Sequence, residues 1–277
     1  MITSKDNKKI KNVIALLEKA KERKKQDAFV VEGSKMFLEA PGEWIKEIYI
    51  SENYGKSKSG FQPDEESLQE LVISKVEDLK NTNNIFIETV SDEVFQKMSD
   101  TKTPQGILCV LTKPGYQEED LYKINQEELF LILEDIQDPG NLGTMLRAGE
   151  GAGVTGVIMS RNTVDVFNPK TIRATMGSIY RVPFYYVDDL ENCARELVKK
   201  GVRTYAAHLK GEVSYDKFNY HKSSAFMIGN EGNGLSDELA SLAETYVKIP
   251  MLGKVESLNA AVAATLLVYE AARQRRD

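Results

Sequence analysis

The sequence predicts an α/β fold in two parts, with a parallel β-sheet in the C-terminal part. Short apolar runs alternate with helical patterns along both halves of the chain, which is the first observation behind this prediction. The second is a polar, acidic segment with a Pro-Gly break between the halves. The third is size, because 277 residues that are 42% hydrophobic can build two modest cores. We expect domains at residues 1–113 and 129–277, joined by a linker at 114–128.

Strands and helices alternate in the N-terminal half. Four apolar runs predict strands: DAFVVEG, WIKEIYIS, NIFIETV and GILCVLT. Helical patterns predict helices or helical turns at residues 7–25, 33–40, 66–72 and 91–98. The N-terminal half therefore reads as a small α/β domain.

Basic residues are concentrated in the first predicted helix. Residues 1–25 hold nine Lys and Arg against three Asp and Glu, whereas the whole chain has a net charge of −6. The basic side chains are Lys8, Lys9, Lys11, Lys19, Lys21, Arg23, Lys24 and Lys25. They form either the solvated face of an amphipathic helix or a phosphate-binding patch, and the sequence leaves both open.

The C-terminal half begins with an apolar strand and continues with five more. The predicted strands are LFLILE, VTGVIMS, VPFYYV, VRTYAA, SAFMIG and TYVKIP, with helical patterns between most of them and a long helix at about 257–275. Such alternation predicts a parallel sheet, whose ligands bind beyond the carboxyl ends of the strands. The glycine-rich segment IGNEGNGLS, residues 228–236, is one of those loops, although glycine-rich segments are also ordinary turns.

A helix is predicted directly after the first strand of this half, at the sequence DPGNLGTMLRAGEG. We expect Asn141 to be its N-cap and Arg147 to lie off its buried stripe. The stripe consists of Leu142, Met145, Leu146 and Gly149, at positions i, i+3, i+4 and i+7. A guanidinium near the ligand-facing end of a sheet suits phosphate recognition, but position alone favours an ordinary surface Arg. Ser257 or Asn259 is likewise either a plain N-cap of the last helix or part of a site.

The segment GAGVTG, residues 151–156, matches the dinucleotide-binding pattern G-x-G-x-x-G only formally. A helix precedes it and a strand follows it, which is the reverse of the order that this pattern requires. We therefore expect Gly151 and Gly153 to end a helix and form a turn, and a nucleotide-dependent oxidoreductase is disfavoured.

Metal and membrane functions find little support in the sequence. Cys109, Cys193, His208 and His221 do not fall at a zinc-like spacing, so no metal is expected. No apolar stretch approaches the roughly 18 residues that span a bilayer, and the N-terminus lacks the apolar core of a signal peptide. We expect a cytoplasmic protein.

Four blocks in the C-terminal half resemble the SpoU or TrmH-type branch of the SPOUT RNA ribose methyltransferases. They are DPGNLGTMLRAGEGAGV, FNPKTIRATMGSIYRVPF, GNEGNGLS and IPMLGKVESLNAAVAATLLVYEA, and the resemblance covers about residues 129–275. In the N-terminal half, FVVEG and TKTPQGILCV are similar to the substrate-binding domain of many members, which resembles the fold of ribosomal protein L30e.

This resemblance implies a fold, a cofactor and partners. The fold is a parallel sheet whose last segment makes a deep trefoil knot, and members work as homodimers. The reaction transfers a methyl group from S-adenosylmethionine to a ribose 2′-hydroxyl of RNA. Ribosomal RNA is the first choice of substrate, with transfer RNA as the alternative. A catalytically inactive RNA-binding module with the same fold is the non-enzymatic alternative.

The resemblance also implies the site residues. The catalytic set is Asn141, Arg147, Glu231, Ser257 and Asn259. The cofactor-binding set is Ala207, His208, Gly229, Asn230, Gly232, Ile249, Met251, Ser257 and Leu258. Because a guanidinium stays protonated in proteins, we hypothesise that Arg147 binds the adjacent RNA phosphate and stabilises developing alkoxide charge rather than acting as a base. Glu231 would orient Arg or Asn side chains, and Ser257 and Asn259 would hold the ribose or the cofactor carboxylate. Lys35, Arg161 and Arg173 are expected to join the N-terminal helix in an RNA-binding face.

Overall fold

The computed structural model describes residues 1–55, 63–82, 85–122 and 126–276. The chain divides into two compact units, Met1–Gly115 with Phe167–Arg173, and Tyr116–Val166 with Ala174–Asp277. Residues 123–125 of the expected linker and the first residue of the NIFIETV run lie outside the described residues. Within the described ranges, no helix has the length and apolar character needed to cross a membrane.

The N-terminal unit is a mixed sheet with helices. Its strands are β1 (Ala28–Glu32), β2 (Ile45–Ser51), β3 (Phe86–Val90) and β4 (Ile107–Thr112), in the spatial order β1-β4-β2-β3. Strand β4 is antiparallel to both β1 and β2, whereas β2 and β3 are parallel. The helices are α1 (Lys8–Glu18), α2 (Ala20–Gln26), α3 (Ser34–Glu39), α4 (Pro63–Thr82) and α5 (Asp92–Met98).

The basic N-terminal segment differs from the prediction in two respects. The single helix expected at 7–25 is two helices, because the backbone at Lys19 is extended. Arg23 is buried rather than solvated, since its Nη1 donates to the carbonyl oxygens of Leu16 (2.7 Å) and Leu17 (3.0 Å). The prediction that Arg23 belongs to a wet basic face was therefore wrong, and its charge caps the end of α1 instead.

The C-terminal unit contains a parallel sheet, which confirms the predicted fold class. Its strands are β5 (Leu129–Leu133), β6 (Gly156–Ser160), β7 (Phe184–Val187), β8 (Arg203–Ala207), β9 (Val213–Ser214), β10 (Ser224–Ile228) and β11 (Thr245–Lys248). The spatial order is β7-β6-β5-β10-β8-β11-β9, and every neighbouring pair is parallel. The helices of this unit are α6 (Pro139–Ala152), α8 (Leu190–Lys199), α9 (Asp237–Ala240) and α10 (Ala260–Gln274). Residues 169–173 of α7 (Pro169–Thr175) belong to the N-terminal unit. Strand β9 was not predicted because two residues carry no periodicity.

Strand order decides where the important loops meet. Strands β5, β10, β8 and β11 are consecutive neighbours although they are far apart in sequence. All residues of β5 and β10 are buried, as in a sheet covered on both faces. Because parallel neighbours end at the same edge, the segments after these four strands are brought together there.

Helix α6 differs from the expectation at its N-cap and at Gly151, whereas it ends at Gly153 as expected. Its N-cap is Asp138, whose carboxylate accepts from the N–H of Asn141 (2.9 Å), so the predicted N-cap at Asn141 was wrong. The predicted stripe is buried as expected. Gly153 ends the helix with a left-handed φ of 79°, but Gly151 lies inside it. A Cβ at Gly151 would lie 2.5 Å from the hydroxyl of Tyr269 on α10, so a side chain there would displace that hydroxyl.

Candidate active site

The segments that follow β8, β10 and β11 enclose a cavity of about 320 Å³ in the C-terminal unit. This volume is within the range of small-molecule sites in proteins. All nine residues predicted to bind the cofactor line it, namely Ala207, His208, Gly229, Asn230, Gly232, Ile249, Met251, Ser257 and Leu258. The lining combines apolar side chains with the polar groups of His208, Glu231 and Ser257.

The loop Gly229–Gly234 is closed by its own hydrogen bonds. Asn230 and Gly234 exchange backbone hydrogen bonds of 3.0 and 2.9 Å. The side-chain oxygen of Asn230 accepts from the N–H groups of Gly232 (2.8 Å) and Asn233 (3.2 Å). An Asn at this position therefore acts as a local backbone mimic that fixes the turn.

Gly229 is required by the loop itself. A Cβ at this residue would lie 2.1 Å from both the carbonyl carbon of Gly234 and the nitrogen of Leu235. No side chain fits at that distance, whatever occupies the cavity. The place of Gly229 in the cofactor-binding set stays a prediction, and the atoms closest to its missing side chain belong to the backbone of Gly234 and Leu235.

Two consecutive acidic residues after β5 anchor this loop at both ends, Glu134 through its carboxylate and Asp135 through its backbone carbonyl. Glu134 accepts from the N–H of Ser236 (2.7 Å) at the far end of the loop. The carbonyl oxygen of Asp135 accepts from the side-chain amide of Asn230 (2.8 Å) at the near end. Asp135 has a left-handed backbone with φ of 52°, and its carboxylate accepts from the hydroxyl of Ser160 (2.7 Å). The cost of this backbone conformation is offset by these bonds, as is usual near functional sites.

Three of the five predicted catalytic residues form one hydrogen-bonded chain. The side-chain nitrogen of Asn259 donates to the side-chain oxygen of Asn141 (3.0 Å), and the amide nitrogen of Asn141 donates to Glu231 (2.8 Å). Asn259 also caps α10, since its side-chain oxygen accepts from the N–H groups of Ala261 (2.9 Å) and Val262 (3.3 Å). Both amide orientations are thereby set by their partners.

Glu231 is held as a carboxylate. Burial raises the pKa of Glu231, but hydrogen bonds from the Asn141 amide and the backbone N–H groups of Gln137 and Asp138 bring this pKa below its usual value. A carboxylate that accepts several N–H groups can only act as an acceptor and an orienting group at neutral pH.

Arg147 and Ser257 are not joined to that chain. Arg147 is exposed on α6, and Ser257 is exposed at the cavity. Among the described residues, neither side chain shows a hydrogen bond or ion pair. Both are therefore accessible to a ligand.

The other expected RNA-binding cations are only partly available. Arg161 pairs with Asp188 (2.5 Å) and Arg173 pairs with Asp100 (2.6 Å), so a carboxylate offsets each charge. Lys9 likewise pairs with Glu47 (2.7 Å). Lys11 is exposed but pairs with Asp6 (2.7 Å). Exposed lysines of α1, α2 and residue 19 for which the described residues show no ion pair are Lys8, Lys19, Lys21, Lys24 and Lys25.

A parallel α/β sheet with a small-molecule cavity and a hydrogen-bonded polar chain beyond its carboxyl edge defines a cofactor-dependent α/β enzyme. Residues 128–269 match the SpoU rRNA Methylase family, and residues 7–109 match the MRM3-like substrate binding domain. The chain belongs to the SpoU family and is an RNA 2′-O-ribose methyltransferase that uses S-adenosylmethionine. Its N-terminal domain is a substrate-binding domain.

Relatives and solved structures agree over nearly the whole chain. The 23S rRNA (guanosine(2553)-2′-O)-methyltransferase RlmP of Bacillus subtilis is 33% identical and covers 97% of both chains. The AdoMet-bound rRNA methyltransferase from Sinorhizobium meliloti is 27% identical, covers 98% of this chain and 97% of its own, and superposes with a TM-score of 0.77. A solved RNA 2′-O ribose methyltransferase is 27% identical, covers 99% of this chain and 98% of its own, and reaches a TM-score of 0.80.

Sequence reasoning missed Glu134 and Asp135 as supports of the glycine-rich loop. The available signal was their position, because two carboxylates directly after a buried strand lie at the ligand-binding edge of a parallel sheet. Their partners, Ser236 and Asn230, are about 100 residues away, and no local pattern reveals such a pairing.

Proposed function

We propose that this methyltransferase acts on ribosomal RNA in the cytoplasm and that its site residues have the roles that follow. The relative named as a 23S rRNA methyltransferase, which aligns over 97% of the chain, supports this substrate. The hydrogen-bonded series of Asn259, Asn141 and Glu231 lies beside the cavity. This observation supports the proposed roles of the site residues, because three residues from separate motifs meet there.

The cavity fits the cofactor. Ile249, Met251 and Leu258 offer an apolar surface for an adenine ring, whereas His208 and Ser257 offer polar groups for the ribose and the amino acid part. When bound, S-adenosylmethionine supplies an electrophilic methyl group on a sulfonium.

The protein's part in the reaction is orientation and charge stabilisation. Glu231 orients Asn141, and Asn141 orients Asn259 at the start of α10. Exposed Arg147 binds the phosphate next to the target ribose and stabilises the negative charge that develops on the 2′-oxygen. An in-line transfer needs the two reacting groups held at about 3 Å, which is the purpose of this rigid set.

We further propose a homodimer and a knotted C-terminal segment. The side chains of Leu252 and Val255 are exposed between cavity residues Met251 and Ser257, and a second copy would cover them. A Cβ at Gly211 would lie 3.1 Å from the backbone at Val247 and Lys248, so the loop after β8 and the end of β11 pass in close contact. The parallel pairing of β9 with β11 accounts for this contact, so the knot rests on the family resemblance alone. The light-scattering mass of the purified protein tests the dimer.

The experiment that tests the substrate is transfer of labelled methyl groups to unmodified ribosomal RNA and, separately, to transfer RNA. Label in an alkali-resistant dinucleotide from ribosomal RNA is the expected result, because a 2′-O-methyl group blocks alkaline cleavage at that linkage. Label only in transfer RNA contradicts the proposed substrate. Cofactor binding without label in either RNA contradicts action on free RNA.

A further inference from the structure

A second cavity, of about 490 Å³, lies within the N-terminal unit. Its wall includes Ser51 at the end of β2, Gln96 on α5 and the loop before β4. This volume also falls in the range of small-molecule sites. The two N-terminal segments that resemble a substrate-binding domain, FVVEG and TKTPQG, contact each other beside it.

Glu32 holds the loop before β4 in shape. Its carboxylate accepts from the hydroxyls of Ser99 (2.8 Å) and Thr101 (3.1 Å) and from the N–H of Gln105 (3.3 Å). Gly33 has φ of 107°, and a Cβ there would lie 2.6 Å from the side-chain oxygen of Gln105. A glycine at residue 33 thus lets Gln105 approach this backbone, where its side-chain oxygen accepts from the N–H of Ser34 (3.3 Å).

Tyr54 is fixed in the same wall. Its hydroxyl lies 3.0 Å from the hydroxyl of Ser34, and a Cβ at Gly106 would lie 2.9 Å from its ring. Phe95 is buried and lines the cavity as well. The cavity therefore has aromatic surface that is already in position before a ligand arrives.

The polar part of the wall consists of amides rather than cations. Gln69, Gln96 and Gln105 line the cavity. The amides of Gln69 and Gln96 each offer both a donor and an acceptor, whereas the side-chain oxygen of Gln105 already accepts from the N–H of Ser34. None of the described lining residues is Lys or Arg, so the wall does not suit a phosphate. Asp92 accepts from the hydroxyl of Ser51 and the amide of Asn53, so its carboxylate belongs to the wall's own structure.

We propose that this amide pocket, defined by Gln69, Gln96, Gln105 and Tyr54, binds an unpaired nucleobase of the RNA substrate. Amide pairs recognise the donor and acceptor edge of a base, and an aromatic ring stacks on its face. The exposed cations Lys35 and Lys102, next in sequence to Ser34 and Thr101, neutralise the flanking phosphates. This inference rests on the proposed action on RNA, and it places substrate recognition in single-stranded RNA.

The test uses the full-length Gln69→Ala/Gln96→Ala variant, because both side chains lie on helices and hold no other part of the described structure. Fluorescence anisotropy measures binding of labelled short homopolymers of A, C, G and U and of an RNA duplex of the same length. We expect the unaltered protein to bind at least one homopolymer about tenfold more tightly than the duplex, as one bidentate amide contact provides. The variant should lose this difference, and its KM for 23S ribosomal RNA should rise about tenfold with unchanged kcat.

Asn81→Ala is the matched control, since it removes an exposed amide from α4 outside the pocket. The control should keep both the preference and the KM. No preference for single strands in the unaltered protein, or an unchanged preference in the double variant, overturns the pocket assignment. If only the double variant loses the preference for single strands, the pocket assignment is supported. If, in the same experiments, the unaltered protein transfers no methyl group to any RNA, the proposed function is contradicted while the pocket assignment stands.

Discussion

At the residue scale, Glu231 links the cavity to the motif amides. Replacing Glu231 by Gln keeps the size of the side chain but leaves one oxygen, instead of two, to accept the hydrogen bonds that Asn141, Gln137 and Asp138 donate. We expect cofactor affinity to fall by roughly 2- to 10-fold in Glu231→Gln, the effect of losing one ordinary hydrogen bond. Isothermal titration calorimetry measures this, with the exposed Glu238→Gln on α9 as the matched control; equal losses in both variants contradict the assignment.

The depressed pKa of Glu231 also predicts a pH dependence. A carboxyl whose pKa is lower in the folded than in the unfolded protein stabilises the fold above its unfolded pKa and loses this effect as pH falls through the folded pKa. Protonation of Glu231 would weaken the hydrogen bonds that it accepts beside the cavity. Because this happens only below the ordinary Glu pKa near 4.3, cofactor affinity should stay constant from neutral pH down to that range and decline only below it. A decline centred between pH 6 and 7, seen by calorimetry and absent in Glu231→Gln, contradicts this carboxylate state.

Arg147 provides a second test at this scale. Because it is exposed and contacts no other predicted catalytic residue, Arg147→Ala should preserve the fold and the cofactor site. We expect kcat to fall at least about 100-fold, the usual cost of losing one charge-stabilising donor, while the cofactor Kd changes little. Arg195→Ala on α8 serves as the control, and a large loss of cofactor binding in Arg147→Ala would remove its proposed role.

Single residues show why only part of the site could be predicted. The nine residues that the family resemblance implies for cofactor binding line one cavity, because they follow neighbouring strands of a parallel sheet. Their contact with the cofactor stays a prediction. The sequence did not reveal that the backbone of Gly234 and Leu235 leaves no room for a side chain at Gly229. It also placed the N-cap at Asn141, since Asp138 and Asn141 are both good caps and only the backbone shows which one is used.

At the element scale, helix α10 is fastened by its last turn. Arg275 donates to the carbonyl oxygens of Tyr220 (2.7 Å), Glu127 (3.1 Å) and Lys222 (2.6 Å), which precede β10 and β5. Desolvation by burial lowers the pKa of this guanidinium, which nevertheless stays charged. The helix that begins after Asn259, one of the predicted catalytic residues, is thus secured at the opposite edge of the sheet.

We expect Arg275→Lys to lower the free energy of unfolding by about 2 kcal/mol, because one ammonium cannot serve the same spread of carbonyl groups. Urea unfolding followed by circular dichroism measures this. Its neighbour Arg276 is exposed, so Arg276→Lys should change stability by less than about 0.5 kcal/mol. Equal stability of the two variants would show that the Arg275 bonds contribute nothing net.

Helices and strands were predicted best where the periodic pattern of apolar residues extends over many positions or where all residues of a strand are buried. Strands β5 and β10 match their predicted runs because residues buried on both faces read as continuous apolar stretches. Helix α4 extends over Pro63–Thr82, well beyond the predicted 66–72, because its apolar positions are sparse. The break between α1 and α2 at Lys19 went unseen, since the buried Arg23 that stabilises it looks in sequence like one more surface cation.

At the scale of the whole molecule, the negative net charge disfavours an RNA partner, whereas the local distribution of lysines favours one. The chain carries −6 overall, yet its first two helices keep exposed lysines that the described residues do not pair. An RNA site on an acidic protein must then depend on this local patch and should be sensitive to salt.

We expect the Lys21→Ala/Lys24→Ala/Lys25→Ala variant to bind ribosomal RNA more weakly and to flatten the plot of log affinity against log salt concentration. Each lost phosphate contact should reduce the slope by about 0.7 to 0.9. Fluorescence anisotropy at several salt concentrations measures the slope, and Lys46→Ala on β2 serves as a single-site control. A slope unchanged from the unaltered protein would exclude the patch from the RNA interface.

The position of β10 has a further consequence, in the time that the protein needs to become active. This strand lies between β5 and β8, and its pairing with β5 joins Ser224–Ile228 to residues 95 positions earlier in the chain. Closing so large a loop makes formation of the sheet centre slow relative to the local helices. Glu231 and its loop follow β10 directly, so a refolding chain should regain helical signal well before it can bind the cofactor.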